Sequence, residues 1–97
     1  MNLQIFEKKE FGKIRVVERE GQPWFVAKDV CKILDFSNPT ETLKRLDNDE
    51  VNSTEVTDSL GRSQITNLVN EYGLYSLVLG SRKPEAKQFK RWITKEV

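Results

Sequence analysis

No histidine occurs in the sequence, and Cys31 is its single cysteine. Without histidine, neither a Ser–His nor a Cys–His nucleophile–base pair can be built. A zinc site would have to combine one thiolate with carboxylates, which is not a usual ligand set. A lone cysteine excludes an intrachain disulfide, and Cys31 lies in an apolar helical stretch, which indicates a core residue. We therefore expect no enzymatic activity, no metal and no cofactor.

Long apolar runs are also lacking. No segment approaches the ~18 consecutive apolar residues of a bilayer-spanning helix, and the N-terminus does not follow the signal-peptide pattern. We therefore expect no membrane association and a cytoplasmic location. A chain of 97 residues with 37% hydrophobic and 32% charged residues is predicted to form one globular domain, residues 1–97, with a modest core.

The first 26 residues alternate between apolar and polar side chains, as β-strands do. Leu3 and Ile5 indicate a short first strand. The alternation resumes at Ile14 and is followed by the turn-forming sequence EGQP, so residues 13–26 are predicted to form a β-hairpin. Trp24 and Phe25 should then point to opposite faces of the sheet.

Residues 27–46 change to helical periodicity. An apolar helix from Ala27 should be broken at the sequence DFS, and Asn38, followed by Pro39 and Glu41, has the pattern of a new helix start. The two helices resemble a helix–turn–helix, but Asp35 stands where that motif usually has glycine. The apolar residues of the second helix also do not fall at the positions where the motif requires inward-facing residues. Lys44 and Arg45, which should face outward, are therefore only secondary candidates for DNA contacts.

An acidic segment and a second hairpin are predicted next. Residues 47–58 hold five acids and no base, which favours a solvated loop over a metal site, because the oxygen-rich spacing of a calcium loop is absent. Such a loop should face away from bound DNA. Residues 56–69 are then predicted to form a hairpin with Arg62 at its tip, by analogy with the wing of winged-helix folds.

The last thirty residues predict two helices. Asn70 can cap the first helix, and Leu74, Leu77 and Val78 supply its inward stripe. Gly80 is expected to end that helix in a left-handed conformation. Pro84 can open the second helix, since its missing N–H costs nothing at a first helical position.

The second of these helices separates an apolar face from a basic one. Its inward residues are predicted to be Ala86, Phe89 and Ile93, with Trp92 at the margin, whereas Lys83, Lys87, Arg91 and Lys95 recur every four residues. Residues 81–97 contain six lysines or arginines and two glutamates, a local net charge of +4, although the whole chain carries only +1. A basic face can be simply solvated, but segregated positive charge favours a phosphate-bearing partner.

These patterns together predict an α+β fold. We expect a single compact domain with two β-hairpins and about four short helices. The C-terminal pair of helices is predicted to adopt a helix-turn-helix-like arrangement.

Three stretches carry a resemblance to a known family: PWFVAKDVCKIL, SNP and NEYGLYSLVLGSRKPEAKQFKRWITKEV, spread over residues 23–97. They resemble the BRO family N-terminal domain (Bro-N), which opens many phage antirepressors and the BRO proteins of large DNA viruses. The resemblance implies DNA binding and a role in lifting phage repression, in a bacterial cell and near its nucleoid. Because the family commonly continues beyond this point, we expect the chain to be the N-terminal part of a longer antirepressor.

Two functions remain as hypotheses. The first is a module that binds double-stranded DNA. The nucleic-acid-binding residues predicted for it are Arg62, Arg82, Lys83, Lys87, Gln88, Lys90, Arg91 and Lys95. The second is a protein-interaction module that binds a phage repressor directly, which the near-neutral overall charge favours. Whether the domain forms a homo-oligomer stays open; a two-fold dimer would require a palindromic DNA site with half-sites about one turn apart.

Overall fold

Five strands form one antiparallel sheet within the residues that the computed structural model describes, 2–57 and 59–97. The strands are β1 (Asn2–Lys8), β2 (Gly12–Arg19), β3 (Gln22–Val26), β4 (Val51–Thr57) and β5 (Ser63–Val69), in the spatial order β1-β2-β3-β5-β4. The helices are α1 (Ala27–Ile33), α2 (Pro39–Leu43), α3 (Glu71–Gly80) and α4 (Ala86–Glu96). The α+β fold and its single compact domain are thus confirmed.

The predicted hairpin over residues 13–26 is formed by β2 and β3. Its turn is only two residues long, because Arg19 pairs with Gln22. Glu20 and Gly21 both have positive φ, 52° and 75°, as the tightest hairpin turns require. Strand β1 adds a further antiparallel partner along β2, so the first three strands form a meander.

The second hairpin is longer than predicted. Strand β4 begins at Val51, whereas the sequence pattern placed the start near residue 56, and it pairs with β5 from Val51↔Val69 to Thr57↔Ser63. The expectation of a loop from residue 47 up to that start is therefore wrong for residues 51–55, which belong to the seven-residue strand β4. Valine and threonine at four of those seven positions favour extended backbone, and pairing with β5 supplies the hydrogen bonds. Residues 48–50 form a 3₁₀ turn, and Asp58 lies outside the described residues.

The main hydrophobic core lies where the helices pack on one face of the sheet. Phe25 belongs to this core together with Ile14 from β2, Leu74 from α3 and Phe89 from α4. A smaller cluster occupies the other face, where Trp24 packs on Val17, Val26 and Leu68. Trp24 and Phe25 thus point to opposite faces, as predicted.

Side-chain caps set the starts of two helices. The Asn38 carboxamide oxygen accepts a hydrogen bond from the Glu41 N–H at 3.2 Å, and that of Asn70 accepts one from the Gly73 N–H at 2.9 Å. Both caps agree with the sequence prediction. Between α1 and α2, Asp35 has a left-handed φ of 69°, so this residue takes the conformation that the helix–turn–helix motif usually assigns to glycine.

The end of α3 differs from the prediction. Gly80 is the last residue of α3 and is absent from the positive-φ residues, and the chain leaves the helix through Ser81 in an extended conformation, with φ −81° and ψ 141°. The Ser81 hydroxyl explains this exit, because it donates to the Leu34 carbonyl oxygen at 2.9 Å. Helix α4 starts at Ala86, two residues later than predicted, because Pro84 lies in the preceding turn. The helix-turn-helix-like arrangement of α3 and α4 stays a prediction.

Candidate nucleic-acid interface

Helix α4 is attached to the domain by its apolar face. Phe89 and Ile93 are fully buried, and Trp92 is half-buried. The Trp92 ring stacks on Phe11, with 5.7 Å between ring centroids and 23° between the planes, and Phe11 meets Phe89 edge-on at 5.7 Å. These aromatic contacts join α4 to the turn between β1 and β2, which determines the direction in which the polar face of α4 points.

The opposite face of α4 presents positive charge to solvent. Lys87, Arg91 and Lys95 are exposed, and so is Gln88. Among residues 2–57 and 59–97, the ion pairs within 4.0 Å are Arg15–Asp29 and Lys44–Glu41, so no carboxylate there neutralises these three cations. This cationic face of α4 is therefore open to a polyanion.

Lys90 has a different environment from its neighbours. It is half-buried, and its Nζ lies 5.4 Å from the centroid of the Tyr75 ring on α3, a cation–π geometry. The Tyr75 hydroxyl donates a 2.6 Å hydrogen bond to Glu71 Oε1, and this bond raises the pKa of Tyr75 above its usual value. Lys90 thus contributes to the contact between α3 and α4 as well as to the local charge.

The predicted row of four cations is divided between a helix and a turn. Lys83 precedes α4 by three residues, is half-buried, and donates its backbone N–H to Ser81 Oγ at 3.1 Å. Arg82 is exposed in the same turn. The helical row is therefore Lys87, Arg91 and Lys95, while Arg82 and Lys83 form a separate group at its N-terminal end.

Arg62 is exposed at the tip of the β4–β5 hairpin. A groove close to this tip is lined by Leu3, at the start of β1, and by Ser63. Helix α4 packs instead on Phe11, beyond the other end of β1. The Ser63 end of the hairpin thus lies near the start of β1, whereas α4 packs beyond the other end of that strand, and Arg62 lines neither this groove nor the cleft that contains Arg82 and Lys83.

The two secondary candidates that follow α2 are both exposed but differ in their surroundings. Lys44 Nζ lies 3.0 Å from Glu41 Oε1. Arg45 lines a cleft that also contains Arg82 and Lys83. Sequence spacing could not reveal this proximity, because Arg45 and Arg82 are 37 positions apart and belong to different helical pairs.

The acidic segment and Cys31 were the remaining places where the sequence offers possible metal ligands. No group of three or more cysteine or carboxylate side chains in the described part of the chain is arranged to hold a metal ion. Asp47 and Glu50 instead cap the 3₁₀ turn reciprocally. Cys31 is fully buried, and burial raises the pKa of its thiol to about 11.

The fold and its open helix define a small α+β domain with a segregated cationic face. The sequence model for the BRO family, N-terminal domain, matches residues 13–97, and the chain belongs to this family. Membership of the family suggests a DNA-binding regulatory role.

Two curated relatives extend the comparison. An uncharacterized protein of Haemophilus influenzae is 33% identical over 97 residues, which cover all of this chain and 48% of that protein. A putative Bro-N domain-containing protein of Invertebrate iridescent virus 6 is 29% identical over 99 residues, which cover 84% of this chain and 24% of the viral protein. The chain therefore spans about half of the first relative and a quarter of the second. No solved structure matches it.

None of the helices in residues 2–57 and 59–97 is both long enough and apolar enough to cross a bilayer.

Proposed function

We propose that this domain is the DNA-binding module of a phage antirepressor-like transcriptional regulator and that it contacts DNA phosphates through α4. The observation that carries the proposal is the exposed row of Lys87, Arg91 and Lys95, which has no carboxylate partner among the described residues. Family membership supports the same function. We expect this function to operate in the bacterial cytoplasm.

Phosphate neutralisation would supply most of the affinity. Together with Arg82 and Lys83, the α4 cations would make about four to six phosphate contacts, so log affinity should fall against log salt with a slope of about −4 to −5. Gln88 is exposed on the same helix and could pair with an adenine edge in the major groove. The phosphate contacts orient the domain, and Gln88 would add sequence preference.

A charge-reversal experiment tests the proposal. The double variant Lys87→Glu with Arg91→Glu removes two phosphate contacts and adds two repulsive charges, so we expect its salt slope to fall by about two units. The matched control is Lys28→Glu with Lys32→Glu, which places the same change four residues apart on the exposed side of α1. Binding to a labelled random duplex is measured by fluorescence anisotropy between 50 and 200 mM salt.

The result can contradict the proposal in two ways. A slope near zero for the unaltered domain would mean that phosphates do not contribute to binding. Equal losses of DNA affinity in the α4 variant and the α1 control would mean that only the overall charge of the domain affects binding and that α4 is not the contact surface.

A second candidate function is direct binding to a phage repressor. It is supported by two large side chains on the outer side of α3, because Tyr72 is 71% exposed and Leu79 is 88% exposed. Tyrosine is a frequent anchor of protein interfaces. The aromatic residues Trp24 and Phe36 do not add to this surface, since both are half-buried against separate apolar clusters.

The two functions can be separated with one pair of variants. The double variant Tyr72→Ser with Leu79→Ser should no longer co-purify with the cognate repressor at ~0.5 M salt, a concentration at which surface electrostatic interactions are largely screened. The same variant should leave the salt slope of DNA binding unchanged. Repressor binding that persists in this variant and is lost in the α4 variant would exclude the α3 surface.

A further inference from the structure

A cleft of about 720 Å³ lies between the two helical pairs of the domain. One wall is the turn after α1, with Asp35 and Phe36, and Arg45 lies beside it. The other wall is the turn between α3 and α4, with Arg82 and Lys83. Segments that are distant in sequence therefore enclose one concave surface.

A single side chain connects the two walls. Ser81 Oγ donates to the Leu34 carbonyl oxygen at 2.9 Å and accepts a hydrogen bond from the Lys83 N–H at 3.1 Å. The first bond reaches the end of α1 and the second lies within the α3–α4 turn. Because the same hydroxyl makes both bonds, the walls of the cleft have a defined separation before any ligand binds.

Positive charge predominates in the cleft. Arg45, Arg82 and Lys83 supply three cations against the two carboxylates of Asp35 and Glu85. The ion pairs of the described residues do not involve any of these five side chains. The guanidinium groups are therefore available, and the planar donor fork of arginine matches the oxygens of a phosphate.

We propose that this cleft holds one backbone phosphate of duplex DNA, bound by Arg45 from one side and Arg82 from the other. The inference rests on the proposed function and extends it, because the DNA-binding surface would then run from α4 across the cleft to the end of α2. Pro84 and Glu85 line the cleft and lead directly into α4. A phosphate there lies near the positive end of the α4 dipole, so the cleft and the cationic face of α4 would follow one DNA strand.

Neutralising Arg45 tests the proposal against a closely matched control. Arg45→Gln should weaken binding to a labelled random 20-base-pair duplex roughly fivefold to tenfold at 100 mM salt and should reduce the salt slope by about one unit. Lys44→Gln removes the same charge at the adjacent exposed position. Because Lys44 is paired with Glu41 and lines a different groove, this control should change affinity less than about twofold.

Two further variants should act in the opposite direction. Asp35→Asn and Glu85→Gln each remove a carboxylate from the cleft, so each should tighten binding by about twofold to threefold through loss of repulsion. Asparagine tolerates the left-handed conformation of Asp35. A gain in affinity cannot result from partial unfolding, so these variants also control for loss of structure.

The outcomes distinguish this inference from the function on which it rests. If the unaltered domain binds DNA without salt dependence, the proposed function fails and the inference fails with it. A different set of results would overturn the cleft inference alone. In that case the Lys87→Glu and Arg91→Glu variant loses DNA binding, but Arg45→Gln changes affinity no more than Lys44→Gln does and Glu85→Gln gives no gain in affinity. DNA binding through α4 would then stand.

Discussion

Alanine should have opposite effects at the two glycines of α3. A Cβ at Gly73 would meet the Glu50 carbonyl oxygen and the Val69 Cβ, both at 3.1 Å, whereas a Cβ at Gly80 would meet nothing within 4 Å. Neither glycine has a positive φ. The two substitutions therefore differ in packing, since alanine fits the backbone conformation at both positions.

The expected magnitudes follow from this geometry. In a helix interior, alanine is favoured over glycine by about 0.8–1 kcal/mol, but forcing a methyl group into a packed contact costs about 1–3 kcal/mol. Gly73→Ala should therefore destabilise the domain by about 1 kcal/mol net. Gly80→Ala, at the last turn of the helix, should stabilise it by about 0.5 kcal/mol. For a domain of this size, each kcal/mol of stability changes the midpoint temperature of thermal unfolding by about 4–8 °C.

Urea unfolding followed by tryptophan fluorescence measures both effects, because Trp24 and Trp92 report on different faces of the sheet. A shift in the urea concentration at the midpoint of unfolding, with an unchanged m-value, identifies a change in stability. If Gly80→Ala destabilised the domain by about 1 kcal/mol, Gly80 would have the left-handed conformation that the sequence pattern predicts. If Gly73→Ala were as stable as Gly80→Ala, the close approach of α3 to the 3₁₀ turn would be refuted.

Two further predictions concern the core and an ion pair. The pKa of the Cys31 thiol is raised to about 11 because burial favours its neutral form. The resulting contribution to the free energy of unfolding should be complete below pH ~9 and should be lost as the pH rises through about 11. Rapid maleimide labelling of Cys31 in the native protein at pH 8 would contradict this prediction. Asp29 accepts three hydrogen bonds of 2.9 Å from Arg15, which join α1 to β2. In thermal unfolding, Asp29→Ala should lower the stability by about 2 kcal/mol, whereas Glu41→Ala should lower it by less than about 0.5 kcal/mol because the pair of Glu41 with Lys44 is exposed. Equal losses of stability in the two variants would argue against an effect of burial.

Local patterns in the sequence were sufficient for most elements. The turn at Glu20 and Gly21, the caps at Asn38 and Asn70 and the inward face of α4 all depend on interactions within a few residues of the chain. The helical period also separated the exposed cations of α4 from its buried residues. Such features follow from backbone geometry and side-chain chemistry, so one sequence can predict them.

Longer-range features required the tertiary structure. Strand β4 extends back to Val51 because β5 pairs along its whole length, and Gly80 stays helical because Ser81 bonds to the end of α1. The position of Arg45 beside Arg82 depends on the same contact between helical pairs.

The amino-acid sequence alone therefore determined the type of fold, the starts of α1, α2 and α3 and a positively charged helix face. The three-dimensional packing decided which cations share a surface: Arg45 and Arg82 line the same cleft, whereas Arg62 lies at the tip of the β4–β5 hairpin. The physical reason is that charges act according to their separation in space, and this separation is set by strand pairing and helix docking between distant parts of the chain.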